Sequence, residues 1–366
     1  MLKIALKILN IIEDHGFSAY IVGGFVRDYL LGLDSKDVDI TTNATPRDIK
    51  TIFADACLPN DDYGSVKVIY KNIRFEITTY RRETTYQDNR RPDSITYVDD
   101  LLTDLKRRDF TINTICMDKQ KKIIDPLHGI EDLHKKCIRT IGDPTERFSE
   151  DVLRILRAIR FATTLHFSLT TEIQEAILHT KYLLDHLSMN RKKEELDKIF
   201  ASPNMLYGIE LIQQLHLEEE LQLSNIKKVT YCTQVIGVWT VLEVDNIYPF
   251  TRNERKLMTD IRYCLANNPL DPLILYQYGL YTSTVAGELL GIDKKMIAKA
   301  YQRLPIHSRR DLAITTPEII AYLHVEAGPF LQGLYQELER KVLQREIPNK
   351  RNSLLKACKK IYEVVV

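Results

Sequence analysis

The sequence predicts an α+β protein in which an N-terminal α/β head, residues 1–137, precedes an all-α remainder. Three observations support this fold class. Up to about residue 137, alternating apolar and polar segments typical of strands are mixed with short helical patterns. After Asp143, strand patterns nearly vanish and amphipathic helical patterns follow one another. At 366 residues, the chain is long enough for two or more domains.

Composition narrows the functional classes. With 44% hydrophobic and 28% charged residues, the chain is typical of a soluble globular protein, and its net charge of +1 requires any nucleic-acid binding to rest on local patches. Six scattered cysteines without a Cys-x-x-Cys pair argue against a disulfide framework or a zinc site. We find no signal peptide and no apolar run of membrane-spanning length. The sequence therefore predicts a cytoplasmic protein without membrane contact, and nothing in it indicates an obligate protein partner.

The first elements of the head are predicted from periodicity and glycine positions. Apolar residues recur with helical spacing over residues 1–16. A strand over Ser18–Val22 then breaks at Gly23 and Gly24, and a short helix is predicted to follow. A glycine pair lets backbone N–H groups approach a phosphate near a helix N-terminus, where Arg27 adds positive charge. This segment therefore indicates a phosphate cradle.

A second strand is predicted to carry Asp37 and Asp39. Residues two apart in a strand point to the same side, so both carboxylates would face one point while Val38 and Ile40 face a core. Two converging carboxylates repel unless a cation lies between them, and hard divalent ions such as Mg²⁺ prefer such oxygen ligands. A phosphate cradle followed by metal carboxylates indicates nucleotidyl transfer. The simpler alternative is a glycine turn followed by an exposed Asp-x-Asp edge.

The middle of the head offers a third carboxylate and a polar loop. Alternation predicts strands over Ser65–Tyr70 and Ile73–Tyr80, and the second places Glu76 on the same face as Arg74. Glu76 is therefore either a third metal carboxylate beside the two aspartates or the ion-pair partner of an arginine. The polar segment 81–104 has the length of a functional loop without structure of its own, and its arginines and tyrosines suit a mobile element over a nucleotide. A merely solvated loop is the alternative.

The last part of the head adds polar residues at helical spacing. A helix through Leu105–Met117 would bring Arg108, Asp109 and Asn113 together. An arginine can clamp a triphosphate, and an asparagine can bind a ribose hydroxyl. A strand, a glycine-containing turn and a short helix are predicted over Lys122–Leu133, where the head closes.

A strong amphipathic helix is predicted over Phe148–Ala162, with Ser149 as its N-cap. Its apolar stripe comprises Val152, Ile155, Leu156 and Ile159. Its opposite face comprises Glu150, Asp151, Arg154 and Arg157, with Arg160 at the margin. Arginines three residues apart repel one another, a cost without purpose on a solvated face, so a functional role is favoured.

The remainder is predicted to be helical. The expected helices are Thr171–His179, Arg191–Ala201, Met205–Gln214, Arg252–Ala266, Pro272–Tyr281, Thr282–Leu290, Lys294–Leu304, Thr316–Tyr322 and Pro329–Glu346. Residues 222–246 give no clear pattern. The segment Lys341–Lys360 has the positive charge to follow a phosphate backbone, although basic tails are also common solvated ends.

The string Gly-Gly-x-x-Arg-Asp ahead of Asp-Val-Asp-Ile-Thr-Thr resembles the nucleotidyltransferase superfamily that includes DNA polymerase β, in its tRNA nucleotidyltransferase and poly(A) polymerase branch. Five blocks are similar, in order, to those of class II, bacterial-type CCA-adding enzymes: Gly23–Asp39, Arg107–Asp109, Asp125–Leu133, Glu150–Arg154 and Arg191–Glu195. The resemblance spans nearly the whole chain and is densest in residues 20–200. It implies a catalytic DNA polymerase β-like head (1–137), a helical neck with a nucleotide-selecting helix (138–204), a helical body (205–270) and a tRNA-binding helical tail (271–366).

The resemblance also implies a reaction. The 3′-hydroxyl of a tRNA, held by its acceptor and elbow regions, attacks the α-phosphate of CTP or ATP, and C, C and A are added without a nucleic-acid template. Two Mg²⁺ ions held by Asp37 and Asp39 would assist. The implied catalytic residues are Asp37, Asp39 and Arg108, and the implied nucleotide-binding residues are Gly23, Gly24, Arg27, Arg108, Asn113, Asp151, Arg154, Arg157 and Arg160.

Base selection is assigned by the resemblance to Asp151 and Arg154. A carboxylate accepts a hydrogen bond from the exocyclic amine of C or A, and a guanidinium donates one to the adjacent ring nitrogen. U and G present the reverse polarity and would leave both side chains mispaired, so a buried polar pocket of this kind rejects them strongly.

Three alternatives stay open at this point. An A-adding enzyme or poly(A) polymerase is one, although the basic extension of bacterial poly(A) polymerases is replaced here by residues 17–20, Phe-Ser-Ala-Tyr. A CC-adding enzyme is a second, and the presence of the polar segment 81–104 argues against it. A noncatalytic RNA-binding relative is the third, and the intact Asp37 and Asp39 argue against that.

Overall fold

The computed structural model describes residues 1–35, 37–54, 56–58, 64–83, 86–87, 91–92 and 95–365. The chain divides into two compact units, Met1–Leu223 and Ser224–Val366. Every strand of the described residues lies in the first unit, and helices account for the regular structure described in the second. The predicted α+β class is therefore confirmed. Within those same ranges, no helix is long and apolar enough to cross a membrane.

The strands and α-helices of the described residues are numbered in chain order. The strands are β1 (Ala19–Val22), β2 (Asp39–Thr42), β3 (Ser65–Tyr70), β4 (Ile73–Thr79), β5 (Arg81–Glu83), β6 (Tyr86–Gln87), β7 (Arg91–Pro92), β8 (Ile95–Tyr97), β9 (Cys116–Met117), β10 (Ile123–Ile124), β11 (Cys137–Ile138) and β12 (Ser168–Leu169). The helices are α1 (Leu2–Asp14), α2 (Gly24–Leu31), α3 (Pro46–Ile52), α4 (Leu101–Lys106), α5 (Gly129–Lys135), α6 (Pro144–Glu150), α7 (Leu153–Leu165), α8 (Thr171–Thr180), α9 (Met189–Phe200), α10 (Met205–Gln214), α11 (Val235–Leu242), α12 (Arg252–Ala266), α13 (Pro272–Leu289), α14 (Lys294–Gln302), α15 (Thr316–Leu323), α16 (Phe330–Leu343) and α17 (Arg351–Val365).

A six-stranded mixed sheet organises the first unit, with strand order β10-β9-β1-β2-β4-β3. Strand β2 runs antiparallel to β1, with Asp39 opposite Val22, and parallel to β4, with Asp39 opposite Glu76. Asp37 lies two residues before β2 rather than inside the predicted strand, because the pairing with β1 begins at Asp39. The predicted alternation nevertheless holds, since Val38 and Ile40 are buried while both aspartates are exposed.

Local sequence signals set the turns around this sheet. Helix α2 is entered through Gly23 at φ +77° and left through Gly32 at φ +69°, two backbone conformations that side chains disfavour. Helix α3 begins with a capping box, in which Thr45 and Asp48 each bind the other's backbone N–H. The β3–β4 hairpin turns at Lys71–Asn72, where both residues have positive φ.

The prediction of a loop without its own structure over residues 81–104 is wrong for the described part of that segment. Strand β5 pairs with β8, β6 pairs with β7, and helix α4 starts at Leu101. Asp100 caps α4 by accepting from the N–H groups of Leu102 and Thr103. Residues 84–85, 88–90 and 93–94 of the predicted loop, Arg90 among them, lie outside the described residues.

The helix predicted over Leu105–Met117 is also wrong. Helix α4 ends at Lys106, and the chain then passes through an extended Phe110 and a single 3₁₀ turn, Thr111–Asn113, into β9. Tertiary pairing overrides helix formation here, because Thr111 N–H donates to the Arg139 carbonyl (3.0 Å). The backbone of this segment is therefore satisfied by a neighbouring segment.

The single helix predicted over Phe148–Ala162 is two helices. Asp143 caps α6 with Pro144 in its first turn, and α6 ends at Asp151, whose backbone is extended (φ −142°, ψ 98°). Ser149 is not an N-cap but lies within α6, where its hydroxyl donates to the Thr145 carbonyl (2.8 Å). The predicted apolar stripe is buried as expected: Val152, Ile155, Leu156 and Ile159.

Most later helices follow the prediction. Helices α10 and α12 match their expected bounds. The two helices expected over residues 272–290 are both present within α13, and they meet at a kink at Gly279 (φ +76°) rather than at Tyr281. The sequence did not predict α11, which forms in the unclear segment and buries Trp239.

Candidate active site

The end of β1, the start of β2 and the segment after α4 meet at Gly23. A methyl group on Gly23 would lie 3.7 Å from the Asn113 carbonyl oxygen, 3.8 Å from Arg108 Nη1 and 4.0 Å from Asp39 Oδ2. The Gly23 N–H donates to the Ile115 carbonyl (3.3 Å), while the first N–H groups of α2 have no intrahelical partner. A backbone free of side chain thus faces one arginine and one carboxylate, an arrangement that accommodates a phosphate.

The pKa of Asp39 is raised by its surroundings. Its side chain reaches solvent, yet its pKa is raised to about 6: desolvation by the surrounding protein atoms is the largest cause, Glu76 and Asp37 add to it, and Arg108 acts in the opposite direction. This clustering of negative charge is what a bound cation relieves, and oxygen ligands of this kind fit a hard divalent ion. The described ranges contain no group of three or more His, Cys, Asp or Glu side chains placed to hold a metal ion. Asp37 and Glu76 act on Asp39 electrostatically, and Glu76 lies opposite Asp39 on the neighbouring strand.

Asp104 organises the arginines and was missed by the sequence analysis. Its fully buried carboxylate accepts from Arg108 Nη2 (3.2 Å), Arg107 Nε (2.8 Å) and Thr41 Oγ1 (3.2 Å). Burial acts to raise the pKa of Asp104, but the two guanidinium groups hold it below its usual range. The signal was available, since an acid three and four residues before two arginines can pair with both on a helix. Asp104 thereby fixes the direction in which Arg108 points.

Arg108 has one unused donor. Its Nε is buried and has no hydrogen-bond partner among the described residues, while Nη2 is held by Asp104. A buried donor without a partner is costly unless a ligand accepts from it. The observation fits a guanidinium that awaits an anion.

A buried hydrogen-bond chain connects Arg27 to α7. Arg27 donates through Nη1 to Asn113 Oδ1 (2.8 Å), and Asn113 Nδ2 donates to Asp109 Oδ1 (3.0 Å). Asp109 Oδ2 accepts from Arg157 Nε (2.8 Å) and Nη2 (2.5 Å). Burial acts to raise the pKa of Asp109, but Arg157 and these hydrogen bonds hold it well below its usual range. The predicted proximity of Asp109 and Asn113 is thus met without the predicted helix.

The arginines of α7 are paired rather than facing solvent. Arg160 Nε donates to Glu195 Oε2 (2.5 Å), and Arg157 is held by Asp109. Glu195 on α9 is itself largely buried. Long-range acids therefore neutralise the like charges that the sequence places three residues apart.

Arg147 connects the head to α6. Its Nη2 donates to the carbonyls of Arg107 (2.8 Å) and Arg108 (2.6 Å), and its Nη1 to Glu150 (2.5 Å). A cation at the end of α4 satisfies carbonyls that the helix leaves unpaired. Arg147 therefore anchors the backbone that carries Arg108, another role that the sequence analysis missed.

The proposed base-selecting pair lies directly beside this anchor. Arg154 Nη1 donates to Glu150 (2.9 Å) and to the Arg147 carbonyl (2.9 Å), and its guanidinium is nearly fully buried. The Asp151 carboxylate accepts from the Leu153 N–H (3.1 Å), and burial raises its pKa. The positive charge of Arg154 acts in the opposite direction and lowers the pKa of Asp151. The two side chains are neighbours, and Glu150 is the acid in direct contact with the arginine.

Three family models match successive parts of the chain. The model of the poly A polymerase head domain matches residues 19–139. The model of a probable RNA- and SrmB-binding site of polymerase A matches residues 166–224. The model of a putative tRNA nucleotidyltransferase domain 2 matches residues 250–358.

Individual relatives match nearly the full length. A CCA-adding enzyme of Anoxybacillus flavithermus (strain DSM 21510 / WK1) is 35% identical over 380 residues, covering 96% of this chain and 95% of the relative. A CCA-adding enzyme of Staphylococcus epidermidis (strain ATCC 12228 / FDA PCI 1200) is 32% identical over 397 residues, covering 96% of each. The crystal structure of the Bacillus stearothermophilus CCA-adding enzyme in complex with CTP superposes with a TM-score of 0.86 at 28% identity, over 98% of this chain and 97% of that one.

Proposed function

Because the chain belongs to the family of CCA-adding enzymes, we propose that it adds C, C and A to the 3′ end of tRNA without a nucleic-acid template. The substrates are CTP, ATP and a tRNA, and pyrophosphate is released. The observation that carries this proposal is the convergence of Gly23, Asp39 and Arg108, together with the anchor that joins Arg108 to the segment of Asp151. Phosphate chemistry and base selection then occupy adjoining parts of one unit.

Triphosphate binding is assigned to the arginines around Gly23 and Gly24. Arg108 offers its unused Nε and its Nη1, and Arg27 lies beside Gly24, whose added methyl would be 3.5 Å from Arg27 Nη2. Arginine pairs with phosphate oxygens through planar, charge-assisted hydrogen bonds. These contacts place the α-phosphate and stabilise the charge that develops on leaving pyrophosphate, so positioning and electrostatics supply most of the catalysis.

Asp37 and Asp39 would hold the divalent ion, which we propose to be Mg²⁺, with Glu76 as a candidate third carboxylate. A bound Mg²⁺ supplies a lower pKa for the attacking hydroxyl and neutralises charge on the leaving group. The carboxylates must be deprotonated for this role, which ties cation binding to the raised pKa of Asp39.

Base choice is assigned to Asp151 and Arg154, with Arg157, Arg160 and Asn113 completing the nucleotide contacts. An ionised Asp151 accepts from the exocyclic amine of C or A, and Arg154 donates to the ring nitrogen beside it. The burial of Arg154 and the half-buried position of Asp151 support this role, because a mispaired base leaves polar groups without partners away from water.

The remaining predictions form part of the same proposal. The four-part division into head (1–137), neck (138–204), body (205–270) and tail (271–366) is retained, with the tRNA acceptor and elbow on the later parts. A cytoplasmic location is proposed because tRNA processing takes place there and because the six cysteines are scattered in the sequence without the spacing of a disulfide framework. The alternatives of an A-adding enzyme, a poly(A) polymerase or a noncatalytic relative are not favoured, since the full-length relatives are CCA-adding enzymes.

The test uses tRNA transcripts that end before, within and after the CC sequence, each incubated with purified protein, Mg²⁺ and a single nucleotide. Two CMP additions and one AMP addition, followed by a stop, are expected. Unlimited AMP addition to any RNA would contradict the proposal. A matched reaction without Mg²⁺ and with EDTA added is expected to give no product and serves as the control for metal dependence.

A further inference from the structure

One aromatic ring lies among three of the arginines assigned to the nucleotide. The guanidinium carbons of Arg160, Arg27 and Arg157 lie 4.0, 5.2 and 5.4 Å from the centroid of the Phe161 ring. Phe161 is 6% exposed, so these contacts are largely shielded from water. The face of an aromatic ring is electronegative and attracts a cation within about 6 Å of its centroid.

The ring attracts all three arginines toward one point, which their separate carboxylate partners do not do. Each arginine already has one acid: Asp28 for Arg27, Asp109 for Arg157 and Glu195 for Arg160. Each acid draws its arginine toward a different element, whereas a triphosphate needs the three guanidinium groups to face one space. A ring shared by all three attracts them toward a common point without adding an anion that would repel the ligand.

We propose that Phe161 is a positioning residue that holds Arg27, Arg157 and Arg160 together for the triphosphate of the incoming nucleotide. The inference rests on the proposed function, since it takes the triphosphate as the ligand of these arginines. Its effect is independent of the base, because the ring acts on guanidinium groups and not on Asp151 or Arg154. Loss of the ring therefore weakens CTP and ATP binding equally and leaves discrimination against UTP unchanged.

Phe110 provides a matched control. Its ring packs edge-on against Phe161, with centroids 5.7 Å apart and planes at 79°, and it is fully buried. Among the described residues, no cation lies over the Phe110 ring. Phe110→Leu and Phe161→Leu therefore remove the same group from the same aromatic pair, and only the second removes a contact with the arginines.

The experiment measures the dissociation constants of CTP, ATP and inorganic tripolyphosphate for full-length wild type, Phe161→Leu and Phe110→Leu, with folding checked by thermal melting. Phe161→Leu is expected to weaken all three ligands about tenfold, and Phe110→Leu less than about twofold. Phe161→Tyr, which keeps the ring, is expected to restore binding. Equal weakening in the two leucine variants would overturn the inference, as would weakening of CTP without weakening of tripolyphosphate.

A second variant keeps the test valid if Phe161→Leu does not fold. Stepwise fluorination of the Phe161 ring preserves its shape while withdrawing the electron density that attracts cations. A graded loss of tripolyphosphate affinity with each added fluorine is expected, and an affinity independent of fluorination would contradict the inference. Wild-type addition of C, C and A tests the proposed function separately: if wild type fails in that assay, the function is wrong, whereas an unaltered Phe161→Leu in an active protein refutes only the role of the ring.

Discussion

The segment Gly23–Asp39 and the segment from Asp143 to Leu165 contribute to one site but differ in how they are built. The first is set by local signals, namely a glycine with positive φ, a short helix and a paired strand. The second is held by distant partners, since its arginines pair with acids 35 and 48 residues away. The proposed phosphate-binding segment therefore depends on backbone shape. The proposed base-selecting segment depends on charge pairing between elements.

Asp39→Asn is expected to have the largest effect. Removal of the metal carboxylate should lower turnover by at least about 1000-fold, because neither the attacking nor the leaving oxygen would be assisted. The same change should increase the free energy of unfolding at pH 8 by about 1 kcal/mol, after allowance for the exposure of the side chain, since it removes a charge that is partly desolvated and repelled by Glu76 and Asp37. Single-turnover kinetics and chemical denaturation measure the two effects.

The pH dependence of that stabilisation has a definite sign. The folded-state pKa of Asp39, about 6, lies above its usual 3.8, so wild type gains stability relative to the variant as pH falls through 6. The stability difference between Asp39→Asn and wild type should therefore shrink from pH 8 to pH 5. A constant difference across this range would show that Asp39 does not carry the proposed charge repulsion.

Gly23→Ala tests the backbone side of the comparison. The added methyl would enter the space between Asp39, Arg108 and the Asn113 carbonyl, so kcat/KM should fall about 100-fold through displaced phosphate contacts. Gly32→Ala is the matched control, because Gly32 has a similar positive φ (69°) but open space around it. Gly32→Ala should lose about 1 kcal/mol of stability from its left-handed backbone. Gly23→Ala should lose about 2 kcal/mol, because the φ and ψ of Gly23 (77°, −136°) are adopted almost only by glycine. If Gly32→Ala lost as much activity as Gly23→Ala, strain rather than close approach would be the cause.

Arg147→Met tests the anchor between the two regions. The Arg108 carbonyl would lose its Arg147 donor, and the Arg107 carbonyl would keep only the longer bond from Arg154 Nη2 (3.3 Å). Arg108 should therefore be less well oriented, and kcat/KM should fall about 30-fold for CTP and ATP alike. Arg262→Met is the control, because Arg262 in the second unit also pairs with an acid, Asp245, and donates to a backbone carbonyl. Steady-state kinetics of both variants, at matched thermal stability, measure the fall in kcat/KM. An equal fall in Arg262→Met would show that the loss does not come from the anchor at Arg108.

Local signals predicted most of the fold. The bounds predicted for helix α12 from helical periodicity match the structure to the residue, and the structure shows a capping box of Thr251 and Glu254 at its start. The β3–β4 hairpin followed from alternation. The prediction of a continuous helix was wrong at Asp151 and after Lys106, where hydrogen bonds to distant segments replace helical ones. A single sequence does not show which segments will be neighbours in space.

The same limit applies to the site. The spacing of glycines and aspartates predicts phosphate and cation chemistry, and Gly23, Asp39 and Arg108 do lie together. The pairing of Asp104 with Arg107 and Arg108 follows from their spacing, but its contact with Thr41 and the anchoring role of Arg147 could not be predicted, because those groups are brought near only by folding. The arginines of α7 were expected to repel one another, and their neutralising partners became visible only in three dimensions.

The most direct test compares nucleotide choice in two arginine variants. The ratio of kcat/KM for CTP over UTP is measured for wild type, Arg154→Ala and Arg108→Ala on a tRNA transcript that lacks CCA. Arg154→Ala is expected to lower this ratio by about 100-fold or more, since the mispaired base no longer leaves a buried donor unsatisfied. Arg108→Ala is expected to lower both rates and leave the ratio unchanged. A ratio preserved in Arg154→Ala would contradict the division of the site into a phosphate region and a base-selecting region.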